Sequence, residues 1–365
     1  MTTAPTTIIR EFDFDGDAVS VHPNEFGHIN ETFVVQTAQS NRVRRYILQR
    51  INQNVFHQPD ELMTNIIQVT AFLREKIGAE GGDPERETLT LIPTRQGAMY
   101  FVSPAGEYWR AYRFIEGARA YQQVESLDHL FQAARTFGRF LRRLGDFPPE
   151  ALHVTIPDFH HTPKRFRALM QAVARDTHNR ARTVRPFIKQ AQAREEKLSQ
   201  IVAALAVGQI PSRVTHNDTK FDNVLIDDIT GEGVCVLDLD TVMPGSALYD
   251  FGDFVRTGAN TGAEDEPDPD RVSLNLEAFK AIARGFLHET ADTLTPQERD
   301  WLPLGAWIIT FEQAMRFLTD YLDGDIYYRI HRPEQNLDRA RSQFKLAADM
   351  EANEDAMSRI IARNG

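Results

Sequence analysis

The stretch Thr215-HNDTKFDNVLIDDITGEGVCVLDLD-Thr241 decides the fold of this 365-residue chain. His216-Asn-Asp218 opens a loop, and Asn223 closes it directly before the apolar run Val224 to Ile226. Asp227-Asp-Ile-Thr-Gly231 has the composition of a turn, and Val234 to Leu239 reads as the returning strand of a β-hairpin. Antiparallel pairing sets the start of one strand beside the end of the other. Asn223 and Asp238 therefore meet at one edge of the hairpin, with Asp218 on the adjoining loop. Asp240, two positions further along the same strand, is expected on the same face as Asp238. One edge thus gathers an amide oxygen and up to three carboxylates.

Hard oxygen donors in this number suit Mg²⁺, which keeps part of its water and shares phosphate oxygens. The order His-x-Asp-(x)₄-Asn, followed by an Asp on the next strand, belongs to phosphoryl transfer. The first Asp orients a substrate hydroxyl and accepts its proton, while the Asn and the later Asp hold metal. Lys220 falls where the protein-kinase loop H-R-D-L-K-x-x-N has its lysine. Taken singly, these are ordinary turn residues; the full spacing on a hairpin is what specifies the chemistry. His216 is expected to anchor the loop through backbone hydrogen bonds rather than to move protons.

Upstream, the chain is β-rich. Glu31 to Gln36 (ETFVVQ) and Arg44 to Arg50 (RRYILQR) flank a polar stretch from Ala38 to Arg42, the pattern of a hairpin. Asp60 to Lys76 carries Leu62, Ile66, Val69 and Leu73 at helical spacing, with Asp60 expected as cap and Gly78 as terminator. Leu89 to Pro93, Met99 to Val102 and Trp109 to Phe114 read as further strands. The expectation is a small antiparallel sheet of five strands with one helix among them. From Tyr121 onward long amphipathic helices take over: Leu127 to Leu144, Lys164 to Asp176, Thr183 to Val207, Leu276 to His288, Trp301 to Leu322 and Gln335 to Ala362. This divides the chain into a β-rich lobe (1–114), a hinge (115–120) and a helical lobe (121–365).

Composition removes several classes. Lys and Arg number 41 against 52 Asp and Glu, a net charge of −11, the opposite of a nucleic-acid binder. The single cysteine, Cys235, leaves no intramolecular disulfide and no CxxC zinc site, which fits a reducing cytoplasm. It sits among apolar neighbours and reads as an inert core residue. The longest helix-like apolar run, Leu302 to Phe311, is about half of a bilayer span. Met1 to Ile9 lacks a basic region followed by an apolar core, so no secretory signal is expected. Phe311, Met315, Leu318 and Leu322 form a buried helix stripe. Glu312, Arg316 and Asp320 lie at four-residue steps on another face, the spacing of a solvated salt-bridge ladder. The acidic stretch Glu264 to Asp270 reads as a solvated loop. Asp250 lies in an Asp-Phe-Gly string but follows Asp238, so it is expected to organise the helical lobe against the catalytic loop.

Further stretches carry a family likeness: Gly27-His-Ile-Asn30, Arg45-Tyr-Ile-Leu-Gln49, Trp109-Arg-x-Tyr-x-Phe-Ile-Glu116 and His161-Thr-Pro-x-Arg-Phe166. Stronger still are His216-Asn-Asp-Thr-Lys220, Asp238-Leu-Asp-Thr-Val-Met-Pro-Gly-Ser246, Asp250-Phe-Gly-Asp253 and Arg316-Phe-Leu-x-Asp-Tyr-Leu-x-Gly-Asp-Ile-Tyr327. Over nearly its whole length the chain resembles the aminoglycoside-phosphotransferase-like branch of the protein-kinase-like fold, and within it the N-acetylhexosamine 1-kinases. The resemblance implies an α+β bilobal molecule that moves the γ-phosphoryl of ATP, with Mg²⁺, to the anomeric hydroxyl of N-acetylglucosamine or N-acetylgalactosamine. Asp218 would be the catalytic base, and Asn223 and Asp238 the metal ligands. Glu116 and Gly117 would face adenine, with His28, Asn30 and Lys220 toward the phosphates. Arg316, Tyr327 and Asp240 would join Asp218 on the sugar. The chain departs from protein kinases in lacking a V-A-I-K lysine, with Gln49 in that strand instead, and in lacking an Ala-Pro-Glu signature. A small-molecule acceptor is favoured, with no nucleic-acid or membrane partner. Other readings are a kinase of this fold acting on an aminoglycoside, an amino alcohol or another sugar, and a nucleotide-binding pseudokinase scaffold.

Overall fold

The structure, a computed structural model, describes residues 4–24, 29–40 and 42–364. A short helical turn, α1 (Pro5–Ile8), leads into an antiparallel sheet of β1 (Asp17–Pro23), β2 (Glu31–Gln39), β3 (Arg42–Arg50), β4 (Phe101–Val102) and β5 (Tyr108–Arg113). Its order is β1-β2-β3-β5-β4. The expected hairpin is β2–β3, in register from Glu31↔Arg50 to Gln39↔Arg42. Strand number matches the expectation, but the strands are not the same five. Leu89 to Pro93 contributes only an isolated bridge, Leu91↔Tyr112. The outer strand is instead β1, none of whose residues is buried; an exposed edge strand leaves no apolar alternation to read.

Alternation along the strands gives the sheet two different faces. Val35, Tyr46, Leu48, Trp109 and Ala111 pack under Ile8, Ile9, Phe12 and Phe14 in a small core of their own. The other face carries Gln49, Arg110 and Tyr112, with Tyr112 joining the main core. Between β3 and β4 runs α2 (Pro59–Ala79), with Leu62, Met63, Ile66, Val69, Leu73 and Ile77 buried. Asp60 does not cap it. Gln58 occupies the cap position without a side-chain bond and Pro59 begins the helix. The Asp60 carboxylate instead takes the hydroxyls of Tyr100 (2.6 Å) and Tyr108 (2.8 Å).

The remainder is mainly helical: α3 (Leu127–Arg143), α4 (Thr162–Arg175), α5 (Arg185–Gln192), α6 (Glu195–Ala206), α7 (Ala247–Gly258), α8 (Leu276–Thr290), α9 (Pro296–Asp300), α10 (Leu302–Asp323), α11 (Gln335–Ala352) and α12 (Glu354–Asn364). Two expected helices are each broken in two, at Ala193–Arg194 and at Asn353. The first break is pinned from outside: Arg194 reaches Glu351 with Nε and Nη2, at 2.8 and 2.6 Å. Helix α7 escapes periodicity because its first ten residues are all buried, so it shows no polar face. It packs directly on α10, where a Cβ on Gly252 would fall 2.4 Å from the Gly305 carbonyl oxygen.

Two small sheets complete the fold. Strand β6 (Ala118–Arg119) joins β8 (Val224–Asp227) and β9 (Gly233–Val236), while β7 (Arg213–Thr215) pairs with β10 (Met243–Gly245). Cys235 is fully buried in β9, and burial pushes its thiol up to about 12. Among the described residues no helix is long and apolar enough to cross a membrane. The result is an antiparallel sheet lobe joined to a helical lobe, the bilobal kinase-like arrangement.

Candidate active site

The hairpin forms with Val224 opposite Val236. The next amide, Leu237 N–H, donates to the Asn223 carbonyl at 2.8 Å, which places Asp238 beside Asn223. The strand ends there. Asp238 takes a left-handed conformation (φ 56°, ψ 60°) and Leu239–Thr241 follows as a tight helical turn. Asp240 therefore does not share a strand face with Asp238, contrary to the expectation from alternation.

The loop before the hairpin is bolted on every side. The Asp250 carboxylate on α7 accepts the backbone N–H groups of His216 (2.9 Å) and Asn217 (2.7 Å). His216 donates from Nε2 to the Leu237 carbonyl at 2.8 Å and accepts Asp218 N–H at Nδ1 at 3.3 Å. Asn223 Nδ2 donates to the Asp218 carbonyl at 2.9 Å. Asn217, at φ 64°, donates from Nδ2 to the Thr241 carbonyl at 3.0 Å, closing the loop on the turn that follows Asp238.

This framework presents two carboxylates with different charge environments. Asp218 lies 3.0 Å from Lys220 Nζ. Burial works to raise its pKa, but Lys220, His216 and Arg256 outweigh that and hold it below the ordinary carboxylate range. Asp238 is pushed the other way, up to about 6, by enclosure in protein and then by the charges of Asp240 and Asp218. Its residue is nonetheless open to solvent. Among the described residues, neither the Asp238 carboxylate nor the Asn223 side-chain oxygen accepts a hydrogen bond. Free hard oxygens beside accumulated negative charge are a donor set that fits Mg²⁺.

On the sheet side, Gln49 lies in β3, the strand that offers Gln49 and arginines in place of a V-A-I-K lysine. It donates to Thr32 Oγ1 at 3.1 Å and accepts from Arg110 Nε at 3.0 Å. Arg110 Nη1 then lies 2.5 Å from Asp240 Oδ1. Asn30 Nδ2 donates to the other oxygen of Asp240 at 2.6 Å. His28 lies outside the described residues. At the lobe connection, the Glu116 carboxylate accepts from Arg45 Nε at 3.0 Å, and its carbonyl from Arg86 at 2.6 Å. Gly117 adopts φ 65° and accepts Asp228 N–H at 2.9 Å.

The third wall comes from α10 and the loop after it. The Arg316 guanidinium lies 5.6 Å from the Phe159 ring centre and 5.7 Å from that of Tyr328. It donates to Gln313 Oε1 at 3.0 Å, and Gln313 in turn donates to Tyr328 Oη at 3.2 Å. Tyr327 is 70% exposed and stands edge-on to Tyr328, so it is Tyr328 that lies against Arg316. Asp320 fixes this loop by accepting the backbone N–H groups of Ile326, Tyr327 and Tyr328 (2.7–2.9 Å) and Asn336 Nδ2 (2.8 Å). Glu312 and Asp320 are both buried, which overturns the expectation of a solvated ladder. Glu312 Oε1 lies 3.1 Å from His160 Nδ1, and His160 Nε2 lies 3.1 Å from the Asn217 carbonyl. Both partners are oxygen acceptors, so both ring nitrogens donate and His160 is an imidazolium. Burial opposes that charge, and Glu312 overrides it, raising His160 above its ordinary value. Arg256 spans Asp253 (2.9 Å) and Glu264 (2.8 Å). Sequence reading missed Arg110, His160, Gln313 and Tyr328 as site residues; only His160, in the one adjacent histidine pair, offered a signal.

Residues 20–287 match the model of the phosphotransferase enzyme family, APH. The chain belongs to that family. Its fold resembles several solved structures at low identity. A microcompartment-associated aminopropanol kinase matches with a TM-score of 0.62 at 17% identity, covering 97% of this chain and 98% of that one. The choline kinase of Cryptosporidium parvum Iowa II matches at 0.61 and 13% identity, over 96% and 97%. An amicoumacin kinase in complex with AMP-PNP, Ca²⁺ and Ami matches at 0.61 and 12% identity, over 94% and 92%.

Proposed function

We propose that this phosphotransferase is an ATP- and Mg²⁺-dependent kinase of a small molecule, and that its acceptor is the anomeric hydroxyl of an N-acetylhexosamine. The observation that carries the kinase reading is the convergence of Asp218, Asn223 and Asp238 at the end of one hairpin. Phosphoryl transfer is mainly positioning and charge stabilisation. Asp218, held below the ordinary carboxylate range chiefly by Lys220, orients the acceptor hydroxyl and takes its proton as the new P–O bond forms and the bond from the γ-phosphorus to the departing ADP breaks. Asn223 and Asp238 would hold Mg²⁺, which when bound neutralises phosphate charge. The nucleotide would lie between lobes 1–114 and 121–365, with adenine near Glu116 and Gly117 and the phosphates near Asn30 and Lys220. A reducing cytoplasm that supplies ATP suits the buried, unpaired Cys235.

The acceptor class rests on charge. Aminopropanol, choline and aminoglycosides are cations, and a pocket for a cation needs carboxylates with charge to spare. Here Glu312 is paired with His160, and Asp253 and Glu264 share the single charge of Arg256, leaving one negative charge that Arg316 offsets. Asp320 is saturated by four N–H donors. Arg316 adds a positive group with aromatic rings on two sides. A neutral sugar with an acetamido oxygen for Arg316 and a ring face for tyrosine matches this lining. Phosphorus NMR with Mg·ATP and parallel acceptors tests it: N-acetylglucosamine, N-acetylgalactosamine, galactose, choline and an aminoglycoside. A new anomeric sugar-phosphate signal is the expected result. Phosphate on choline or the aminoglycoside would overturn the acceptor class but leave the kinase reading standing.

A further inference from the structure

A buried arginine sits where the two lobes are joined by charge. Arg110 is 1% exposed and Asp240 3%, although one belongs to the sheet and the other to the turn after Asp238. In the sheet register Gln49 and Arg110 are direct cross-strand partners on β3 and β5. The strand that would carry a lysine thus carries a neutral amide, and the cation has moved to the neighbouring strand. We infer that Arg110, held between Gln49 and Asp240, is the positioning residue that replaces the strand lysine, locking the nucleotide sheet onto the segment that bears Asp238. This inference rests on the kinase reading above.

Three features support that role over simple stabilisation. A buried ion pair adds little net stability, because desolvation cancels most of the attraction, whereas removing one partner strands a buried charge. Such a pair acts chiefly by demanding one arrangement. Second, both Asp240 oxygens have partners on the sheet lobe, Arg110 at 2.5 Å and Asn30 at 2.6 Å. Asn30 is itself held by Asn52 N–H at 2.9 Å, so Asn30, directly before β2, is part of the same lock. Third, Asp238 lies only two residues away in a left-handed conformation, with nothing but Leu239 between it and the anchor. Moving Asp240 relative to Arg110 therefore moves the candidate metal ligand relative to the strands beneath the phosphates. The two carboxylates divide the work: Asp238 stays free, and Asp240 is committed.

The test is a double-mutant cycle on Arg110→Met and Asp240→Asn, read by calorimetric Mg·ADP binding as well as by turnover. Each single change should weaken Mg·nucleotide binding by about tenfold, with the acceptor KM shifted less than about threefold, and the double variant should be no worse than the worse single. Arg110→Lys should recover part of the affinity. If either single variant does not fold, Gln49→Leu, which removes one strut of the lock, replaces it in the cycle. Strictly additive losses, or nucleotide affinity equal to wild type in both singles, would overturn the lock while leaving the kinase intact. Failure of the unaltered protein itself to bind Mg·ADP would overturn the kinase reading and this inference with it.

Discussion

The two sides of Asp218 handle charge in opposite ways. Toward the sheet lobe, among the described residues, neither the Asp238 carboxylate nor the Asn223 side-chain oxygen accepts a hydrogen bond. Toward α10, Glu312, Asp253, Glu264 and Asp320 are all matched by cations or N–H groups. On the proposed function, the first side would be completed by positive charge arriving from outside, and the second would sort acceptors by hydrogen bonds, shape and the charge of Arg316.

Four experiments break or sharpen that contrast. Asp218→Asn carries the largest expected effect: kcat should fall by about 10²–10⁴-fold while Mg·ATP binding stays within about threefold. Turnover equal to wild type would remove the base from the scheme. Asp238→Ala should lower Mg²⁺-dependent nucleotide affinity by about 100-fold, because several kcal/mol ride on the metal contact. The same titration without Mg²⁺ should show no difference between variant and wild type. Arg316→Ala should raise the sugar KM about tenfold and leave the ATP KM nearly unchanged. Equal effects on both would mean that the two sides are not separate.

The smallest effect concerns His160, which faces Glu312, Asp253 and Tyr249 as well as the Asn217 carbonyl. Its folded-state pKa is raised, so protonation favours the folded protein. That stabilisation is complete below the ordinary histidine value of about 6.5 and is lost as pH rises through the folded-state value. Thermal melts should show His160→Gln below wild type by roughly 2–4 °C in mild acid, with the gap closing in alkali. A gap that does not change with pH would contradict the imidazolium.

Legibility followed the range of the interactions. The catalytic loop and hairpin were readable because Asp218, Asn223 and Asp238 lie within one local supersecondary unit, where turn chemistry and strand pairing leave few alternatives. The buried stripe Phe311, Met315, Leu318 and Leu322 was readable for the same reason. Asp240 was not: its fate turns on a left-handed residue at 238 and on partners at positions 30 and 110. Tyr328 displaces Tyr327 beside Arg316 because Asp320 gathers three consecutive amides and so orients the loop, an effect with no periodic signature. Helix α7 and strand β1 mark the two limits of pattern reading, one buried all round and the other buried nowhere.

Cys235 has a practical consequence. It is the only thiol in the chain, fully buried in β9 and held far from its reactive anionic form. Maleimide reagents should therefore pass over the native protein, leaving no background label. One cysteine introduced at exposed Val43 and another at exposed Ile326 would each take a dye without first deleting a native thiol. The pair would place a fluorescence ruler from the β2–β3 hairpin to the loop after α10, and energy transfer along it would follow the approach of the lobes as nucleotide and sugar are added.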